Sequence, residues 1–260
     1  MGTVQYDFGG KTVLVTGGSR GIGYGIARGF AMAGADVAIL AQSPGVHDSA
    51  KHLADETNAS VQAVQCDITD VNAVRLALQP FDQIDVLINN AGRERITPIL
   101  DEDDAVEETF RRIVDVNMMG TFYVTRYAAR KMPSGSTMIF TCSIWSRTAV
   151  PEFSAYCSTK HANLGFMRSL AQELAPQGIR VNGVCPGWVR TDASMQSLSN
   201  MSMRTGRSEQ DLLEEITGAQ IMGGLMEPDD MAGTYLFLAS DASSDIVGQA
   251  IMLDRGEVLA

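Results

Sequence analysis

Tyr156 and Lys160 are the pair of side chains in this sequence best suited to moving a proton. They stand four residues apart in the segment AYCSTKHANLGF, a spacing that places both on one face of a helix. An ammonium group beside a phenol favours the phenolate and so lowers the tyrosine pKa. A phenol tuned in this way can act as a general acid or base near neutral pH, so the pair predicts acid–base catalysis.

The same spacing occurs a second time, at Tyr127 and Lys131. Random placement of six tyrosines and four lysines in 260 residues predicts about 0.1 such pairs, so spacing alone does not choose between the two. The second pair stands just before Pro133, where a helix ends, and no preceding strand brings a polar partner to it. We therefore expect Tyr127 and Lys131 to lie on a solvated helix face.

Ser143 distinguishes the first pair from the second. It comes two residues after the apolar run TMIFT and thirteen residues before Tyr156. In open α/β sheets, ligands bind outside the carboxyl ends of the strands. A serine hydroxyl at such an end can hold the same carbonyl or alcohol oxygen as Tyr156, which gives two hydrogen bonds to the oxygen whose charge changes in hydride transfer.

A glycine-rich segment, TGGSRGIG at 16–23, follows the first apolar run of the chain. Gly17 permits a sharp turn, while Gly21 and Gly23 let backbone approach a pyrophosphate at the start of a helix, where free N–H groups and the helix dipole favour anions. The spacing is GxxxGxG and differs from the common dinucleotide pattern GxGxxG. The segment predicts a phosphate-binding loop, and a tight strand-to-helix turn without a ligand is the alternative.

Seven short apolar runs rich in valine and isoleucine must position these side chains. Continuous apolarity is typical of strands buried on both faces, and most intervals between the runs can hold a crossover helix. We predict an α/β fold, a doubly wound parallel sheet of about seven strands with helices on both faces. The runs are TVLVT (12–16), DVAIL (36–40), VQAVQ (61–65), IDVLIN (84–89), TMIFT (137–141), IRVNGV (179–184) and QAIML (249–253).

The chain is expected to form a single domain, 1–260, because no low-complexity linker or internal repeat divides it. The longest interval between runs contains a polar, methionine-rich stretch, SMQSLSNMSMRTGRSEQ. We expect the segment at about 188–225 to act as a mobile lid over the substrate rather than as a second domain.

Composition excludes several classes of function. A net charge of −11 repels nucleic-acid phosphates and anionic lipids, no apolar run approaches the roughly 18 residues of a membrane span, and the N-terminus lacks signal-peptide and myristoylation patterns. The cysteines show no CxxC spacing and only three histidines exist, so neither a disulfide framework nor a metal site is expected. We expect a cytoplasmic protein with a small-molecule substrate and no nucleic-acid or membrane partner.

In this order, the motifs resemble the short-chain dehydrogenase/reductase family from about residue 8 to the end of the chain. TGGSRGIG corresponds to its TGxxxGxG cofactor loop, and Ser143, Tyr156 and Lys160 to its catalytic serine and YxxxK. Residues 89–92 have the family sequence NNAG, and residues 186–191 fit its PGxxxT stretch. The resemblance implies a Rossmann-type fold and an NAD(P)-dependent oxidoreductase acting on a carbonyl or secondary alcohol, in the range of sugars, polyols and sugar acids.

The resemblance implies four catalytic residues. Tyr156 would exchange a proton with the substrate oxygen, and Ser143 would hold that oxygen. Lys160 would lower the tyrosine pKa and bind the nicotinamide ribose. Asn117, in VDVNMMG, would position a water that links the lysine to solvent.

The resemblance also implies a set of cofactor-binding residues. Asp67, with Ile68 beside it, would meet the adenine amino group, and an N-cap of the following helix is the alternative role for Asp67. Asn89 would brace the fold beside the cofactor or simply cap the strand end. The set comprises Gly17, Ser19, Arg20, Gly21, Ile22, Gly23, Gln42, Asp67, Ile68, Asn89, Ala91, Gly92, Tyr156, Lys160, Pro186, Gly187, Val189 and Thr191.

The end of the second strand bears on the choice of nicotinamide cofactor. NAD-specific members carry an acidic residue there, which binds the ribose 2′-OH. This chain has Ala41 and then Gln42, so the carboxylate is missing. Arg20 stands where members that favour NADPH carry a basic residue, which can meet the 2′-phosphate, whereas Gln42 replaces a second basic residue and brings no charge. We favour NADP(H) over NAD(H).

Both tryptophans and four arginines fall in the loops that form the family's substrate walls. Arginines near the mouth of an acidic protein suggest a polar or anionic substrate, such as a sugar acid or a sulfonated or phosphorylated sugar. The alternative is that these arginines are solvated or paired with neighbours such as Glu94. The candidate substrate residues are Arg93, Arg95, Trp145, Arg147, Trp188 and Arg190.

Two other functions stay open. Reduction of 3-oxoacyl-[acyl-carrier-protein] is favoured by the SRGIG loop, although no basic docking helix is evident, and a non-catalytic dinucleotide-binding regulatory protein would not need all four catalytic groups. By resemblance we expect a homo-oligomer, a tetramer or a dimer. Near the C-terminus Arg255 replaces the first glycine of the family's DGG ending and takes a positive φ less readily than glycine.

Overall fold

One parallel sheet of seven strands runs through the computed structural model, which describes residues 4–259. The strand order is β3-β2-β1-β4-β5-β6-β7, and every apolar run forms a strand, so the predicted doubly wound sheet is confirmed. Residues 1–3, the start of the N-terminus in which we expect no signal peptide or acylation signal, lie outside the described residues. The strands are β1 (Thr12–Thr16), β2 (Asp36–Ala41), β3 (Val61–Gln65), β4 (Val86–Asn89), β5 (Thr137–Thr141), β6 (Arg180–Pro186) and β7 (Ala250–Leu253).

Nine α-helices connect and cover these strands within residues 4–259. Helix α4 continues through a π-helical turn, Asp115–Gly120, directly into α5. Such π turns inside helices are frequent at functional sites. The helices are α1 (Gly21–Met32), α2 (Val46–Thr57), α3 (Val71–Leu78), α4 (Ala105–Val114), α5 (Thr121–Ala128), α6 (Ser154–Leu174), α7 (Asp192–Thr205), α8 (Glu209–Gly218) and α9 (Ala232–Ala239).

The core lies on both faces of the sheet, because successive side chains of a strand point to opposite sides. Leu14, Leu87 and Phe140 pack with α3, α5 and α6 on one face. Val15 and Ile88 pack with α1, α2 and α9 on the other. Full burial of one such side chain contributes about 1.5–3 kcal/mol, which is why these strands are apolar at nearly every position.

The strand order changes direction at β1, which lies between β2 and β4. The Thr16 hydroxyl ties the carboxyl ends of β1 and β4 together: it donates to the Ile88 carbonyl (3.2 Å) and accepts from the backbone N–H groups of Asn90 and Ala91 (3.0 Å each). In doubly wound sheets this reversal opens the crevice in which ligands bind.

Helix α1 rests directly on the turn that precedes α9. A Cβ added to Gly25 would lie 2.3 Å from the backbone oxygen of Pro228, and one added to Gly29 would lie 2.5 Å from the Cβ of Ala232. Two helical positions of α1 must therefore be glycine for the backbones to approach this closely.

The polar segment after β6 is helical rather than irregular. Thr191 caps the N-terminus of α7 in a capping box with Ser194, and Gly206, at φ +68°, ends that helix before α8 begins. The backbone hydrogen bonds of this stretch, which we expect to act as a lid, are thus made within its own helices.

No helix within residues 4–259 is long and apolar enough to cross a bilayer, and no cluster of three or more His, Cys, Asp or Glu side chains in that range could hold a metal ion. Four cysteines are free and buried: Cys66, Cys142, Cys157 and Cys185.

Arg255 does adopt the conformation that its replacement of glycine made unfavourable. Its φ is +56°, followed by Gly256 at +80°. The buried carboxylate of Asp254 holds this turn by accepting from the N–H groups of Gly256 (3.1 Å) and Val258 (2.8 Å), and the arginine guanidinium donates to the carbonyl of Gly223 (2.9 Å).

Candidate active site

A cleft of about 800 Å³ runs along the carboxyl ends of the strands, from the α1 N-terminus to α6 and α7. All but four of the residues predicted for the site line it. The exceptions are Asn89, Asn117, Arg147 and Arg190. Apart from these four, the candidate catalytic, cofactor and substrate residues share one continuous cavity.

Lys160 is anchored to the strand that leads to the serine. Its Nζ donates to the carbonyl of Thr141, the last residue of β5, at 2.7 Å, and lies 5.5 Å from the ring centroid of Tyr156 on the same face of α6. Burial lowers the pKa of the Lys160 ammonium, whereas negative charge on Cys142, Cys185 and Glu94 acts in the opposite direction.

The surroundings of Tyr156 act on its pKa in both directions. Burial raises this pKa well above the usual tyrosine value, the charge of Glu94 raises it further, and the hydrogen bond with Ser143 acts the other way. The net direction is upward, opposite to the lowering of the Tyr156 pKa that we expected from Lys160.

Ser143 caps a short helical turn, and this cap orients its hydroxyl. It begins a short 3₁₀ turn, Ile144–Ser146, in which its hydroxyl accepts from the Trp145 N–H (3.2 Å) and its own N–H donates to the Ser146 hydroxyl (3.1 Å). The Trp145 ring meets the Tyr156 ring edge to face at 5.8 Å. The serine hydroxyl and the tryptophan thus frame the phenol from one side.

Asn117 lies in the π turn and is almost fully buried, so it does not line the cleft. Its amide oxygen accepts from the backbone N–H of Arg93 (2.7 Å), and its amide nitrogen donates to the carbonyl of Arg93 (3.1 Å) and to the hydroxyl of Thr159 (3.0 Å). A Cβ added to Gly92 would lie 3.5 Å from the Asn117 amide oxygen and 3.8 Å from the Lys160 Nζ. Asn117 and Lys160 therefore both approach Gly92, which lines the cleft.

The glycine-rich segment forms a cradle with no room for side chains. Gly17 has φ +65°, and a Cβ added to Gly23 would lie 2.2 Å from the Gly17 carbonyl oxygen. Helix α1 begins at Gly21, its N-cap Arg20 makes no side-chain cap, and Gly21 faces the Thr191 methyl group at 3.2 Å from a built Cβ. Uncapped N–H groups facing the cleft fit the pyrophosphate of a dinucleotide.

At the far end of the cleft, the end of β2 carries no acidic residue. An amide side chain follows β2 there, and a carboxylate that follows β3 lies beside it. Gln42 donates to Asp67 (2.7 Å), which also accepts from Thr69 and pairs with Arg112 (3.1 Å). Burial tends to raise the Asp67 pKa, but these hydrogen bonds from Thr69 and Arg112 lower it overall. The alternative role of Asp67 as an N-cap is wrong, because Asp70 caps α3.

Asn90 lines the cleft, and Asn89, which we expected there, does not. Asn89 is buried and donates to the hydroxyl of Thr125 on α5 (2.9 Å), away from the cleft. Asn90 lines the cleft, and its amide donates to the backbone carbonyl of Thr16 (3.0 Å) beside the cradle. The assignment of Asn89 to the cofactor site is therefore corrected: Asn90 braces that site, because neighbouring residues at a strand end point to opposite sides.

Two of the four arginines predicted for the substrate wall point elsewhere. Arg147 donates to the carbonyl of Ala250 on β7 (3.0 Å), and Arg190 pairs with Glu227 (2.9 Å). Arg147 and Arg190 do not line the cleft, because each guanidinium donates to a protein acceptor outside the cleft. Arg93 and Arg95 do line the cleft, at its exposed rim, together with Trp145 and Trp188.

Glu94 is a site residue that the sequence pattern did not single out. Its carboxylate lies in the cleft wall and accepts a hydrogen bond from the Ser197 hydroxyl of α7 (3.0 Å). Burial raises the Glu94 pKa, while Ser197, Lys160 and Arg95 act to lower it. Only the fold brings residues 94 and 197 together, so no local spacing could have revealed the contact.

The second tyrosine–lysine pair lies outside the cleft, but it is not solvated as expected. Lys131 donates to the backbone carbonyls of Gln79 (3.2 Å) and Phe81, and Tyr127 packs against the core. Lys131 thus closes the end of α3 against the turn before β5. It shares the spacing of the active-site pair and has a structural role.

Comparison with known proteins agrees with this geometry. The family model described as Enoyl-(Acyl carrier protein) reductase matches residues 17–257. L-rhamnose 1-dehydrogenase (NAD(P)(+)) of Azotobacter vinelandii is 36% identical over 257 residues, 95% of this chain and 96% of that protein, and L-2,3-butanediol dehydrogenase of Corynebacterium glutamicum is 33% identical over 95% and 98%. The crystal structure of L-sorbose reductase from Gluconobacter frateurii, complexed with NADPH and L-sorbose, superposes with a TM-score of 0.90 at 25% identity, covering 99% of this chain and 100% of that one.

Proposed function

The chain belongs to the short-chain dehydrogenase/reductase family, and from that premise we propose that it is an NAD(P)-dependent oxidoreductase that interconverts a carbonyl and a secondary alcohol in a sugar or polyol. The observation that carries this proposal is the shared cleft. Ser143, Tyr156 and Lys160 occupy one end of the same cavity whose other part is the glycine cradle at 17–23. Interconversion of a carbonyl and an alcohol by hydride transfer needs a group that moves a proton and a bound dinucleotide. The phenol can serve as the first, and the glycine-rich loop fits the second.

In the proposed mechanism, Tyr156 and Ser143 act on the same substrate oxygen. During carbonyl reduction the phenol donates its proton to the oxygen, and the serine hydroxyl donates a hydrogen bond to it. When bound, the nicotinamide cofactor supplies the hydride. The Lys160 Nζ lies 5.5 Å from the centroid of the Tyr156 ring, and its positive charge favours loss of the phenol proton to the substrate oxygen.

Lys160 and Asn117 support the tyrosine from behind. Lys160 is held by the Thr141 carbonyl, so its ammonium stays beside the phenol when the proton leaves. Asn117 fixes the backbone of Arg93, and with it the loop that follows NNAG. We retain the water relay from Lys160 to solvent, positioned by Asn117, as part of the proposed mechanism.

We propose NADP(H) as the preferred cofactor. The end of β2 offers Ala41 and Gln42, neither of which carries the negative charge that would repel a 2′-phosphate. Arg20 lines the cleft mouth, is exposed, and makes no ion pair with any residue in 4–259. The relative crystallised with NADPH supports the same choice.

A neutral polyhydroxylated substrate fits the cleft better than an anionic one. The positive charge expected from Arg147 and Arg190 is committed elsewhere, and Glu94 places a carboxylate in the wall. The substrates named for the three relatives described above, L-rhamnose, L-2,3-butanediol and L-sorbose, are neutral polyols or sugars. Two further solved structures, 28% and 30% identical to this chain, are described as gluconate dehydrogenases, and gluconate is an anionic sugar acid. The preference for a neutral substrate therefore rests on the charges of this cleft wall.

We also propose that α7 and α8, within the segment 188–225, cover the substrate. Ser194 and Gln196 line the cleft, and Ser197 contacts Glu94 across it. Assembly as a dimer or tetramer is proposed as well, because Phe110, Met119 and Phe122 leave apolar surface exposed along α4 and α5.

Substrate screening with both cofactors tests this function. Sugars, polyols, sugar acids and 3-oxoacyl thioesters are offered in turn, and the absorbance of the reduced nicotinamide is followed. We expect turnover with neutral sugars or polyols. Faster turnover of 3-oxoacyl thioesters would favour the acyl-chain reductase instead, and tight NADPH binding without any turnover would favour a regulatory protein.

A further inference from the structure

We propose that Glu94 is a specificity-determining residue that accepts a hydrogen bond from a substrate hydroxyl next to the reacting carbon, and thereby selects neutral polyhydroxylated substrates over monoalcohols and carboxylates. The inference rests on the proposed function, because it needs the substrate oxygen to lie at Ser143 and Tyr156.

The position of Glu94 places it at the reacting end of the cleft. Of the three acidic residues in the cleft wall, Asp67 pairs with Arg112 at the far end and Asp192 lies at the start of α7. Glu94 is the one whose charge is felt by both Tyr156 and Lys160. Gly92, two residues before Glu94, lies against the same lysine, since a Cβ added to it would be 3.8 Å from the Lys160 Nζ. A substrate whose oxygen meets the phenol would therefore bring its neighbouring atoms towards this carboxylate.

The carboxylate has acceptor capacity to spare. An ionised carboxylate can accept about four hydrogen bonds. Within residues 4–259 it accepts one, from Ser197, and makes no ion pair. The guanidinium of the adjacent Arg95 donates to the backbone carbonyl of Glu94 (2.8 Å) and not to its carboxylate. The remaining oxygen positions are open to donors in the cleft.

Ser197 fixes the direction of the carboxylate. The serine is buried on α7, and its hydroxyl donates to the Glu94 carboxylate at 3.0 Å. Helix α7 is in turn held at its start by the capping box of Thr191 and Ser194. Glu94 is thus held at a defined position relative to Tyr156 instead of swinging into solvent, as a group that recognises one hydroxyl requires.

Selectivity follows from what each substrate would place beside this group. A hydroxyl donates to the carboxylate, a methylene leaves it partly desolvated and without a partner, and a second carboxylate repels it. The guanidinium groups that could neutralise an anion, Arg93 and Arg95, lie at the exposed rim, while Glu94 is partly buried. The wall therefore favours a vicinal hydroxyl.

Three small secondary alcohols test the inference, because they differ only in the group next to the carbinol carbon. 2,3-Butanediol presents a hydroxyl there, 2-butanol presents none, and lactate presents a carboxylate. Relative kcat/KM values are measured with NADP⁺, and dissociation constants are measured from the fluorescence of Trp145 and Trp188, which both line the cleft. The fluorescence titration reports binding without any need for turnover.

The wild-type protein should prefer 2,3-butanediol to 2-butanol by roughly tenfold or more, the value of one hydrogen bond to a charged group. Glu94→Ala should remove that preference. Glu94→Gln, which keeps an acceptor oxygen but no charge, should retain part of it and bind lactate more tightly than the wild-type protein does.

Ser197→Ala is the control for a purely structural role. It removes the contact with α7 but keeps the carboxylate. The kcat/KM values for all three substrates should therefore fall together, and most of the preference for the diol should remain. If Glu94→Ala lowers kcat/KM for the three substrates by one common factor, Glu94 only holds α7 and the inference is wrong.

Failure of the proposed function has a different signature. If the wild-type protein binds the diol more tightly than 2-butanol and loses this preference in Glu94→Ala, but oxidises neither, the binding role of Glu94 stands and the oxidoreductase proposal fails. If the wild-type protein shows no diol preference in fluorescence or in turnover, the Glu94 inference fails whatever the activity.

Discussion

The ammonium of Lys160 donates a 2.7 Å hydrogen bond to the carbonyl of Thr141, the last residue of β5. Two residues further along the chain lies Ser143, and one helical turn before the lysine lies Tyr156. This single bond therefore ties the helix that carries the proton donor to the strand end that carries its partner. The mutual position of the phenol and the serine hydroxyl depends on it.

Replacing Lys160 with methionine should remove this tie while keeping the buried volume. We expect kcat to fall by about 10²-fold or more, because general acid–base catalysis of this kind contributes roughly 10²–10⁴-fold. The acid–base profile of kcat should also shift, since the ammonium no longer faces the phenol. Lys131→Met is the matched control: it should lower the thermal midpoint through loss of its contacts with Gln79 and Phe81, but leave kcat unchanged.

Tyr156→Phe removes one oxygen with little change in packing. We expect kcat/KM to fall by about 10²–10⁴-fold while NADPH binding, followed by its fluorescence, stays within twofold. Tyr127→Phe, at the duplicate of the spacing, should keep full activity. Equal activity of the wild-type protein and Tyr156→Phe would show that another group supplies the proton.

Arg20→Ala tests the basis of cofactor preference. Loss of one charge-assisted hydrogen bond to a 2′-phosphate should reduce kcat/KM with NADPH by roughly tenfold and leave the value with NADH nearly unchanged. Both constants are measured on the same preparation with one substrate. A tenfold preference of the wild-type protein for NADH would overturn the NADP(H) proposal at once.

Glu94→Gln should stabilise the folded protein at neutral pH. Burial raises the Glu94 pKa, so ionising this carboxyl at neutral pH costs more free energy in the folded state than in the unfolded chain. Stability linked to this group is fully present below the unfolded carboxyl pKa and is lost as pH rises through the raised, folded pKa. The thermal midpoint of Glu94→Gln should therefore exceed that of the wild-type protein at pH 7, and the difference should vanish near pH 4. Glu173→Gln, at an exposed carboxylate of α6, should show no such pH-dependent gain.

Arg255→Gly tests the strained turn after β7. A non-glycine residue in the left-handed region costs about 1–2 kcal/mol, and glycine avoids that cost. Arg255→Ala keeps the strain and loses the same guanidinium contacts, so Arg255→Gly should be the more stable of the two variants by about 1 kcal/mol in denaturant unfolding. Equal stability of the two would mean that the turn relaxes without the arginine.

The sequence pattern was sufficient for the sheet because burial on both faces leaves a continuous apolar signal in each strand. Tyr156 and Lys160 were also recognisable, since helical spacing is local. The direction of the Tyr156 pKa shift could not be predicted from this local spacing. We expected the ammonium of Lys160 to lower this pKa, whereas burial and the charge of Glu94, both set by tertiary packing, raise it.

The remaining site residues escaped prediction for two physical reasons. Asn89 and Asn90 are neighbours at a strand end, so an error of one position reverses which of them faces the cleft. Arg147 and Glu94 sit in loops whose side chains choose partners far along the chain, the carbonyl of Ala250 and the hydroxyl of Ser197. Composition placed charge near the cleft mouth but did not determine which groups would point inward.

The close seat of α1 against Pro228 has a consequence for the order in which the protein is completed. The glycines of the cradle are synthesised before the surface on which their helix rests, at Pro228 and Ala232. A growing chain thus carries the whole glycine motif before it has the support that fixes the motif's shape. We therefore expect a fragment that ends before Pro228 to keep the glycines, to lack the support for their helix and to bind the cofactor weakly.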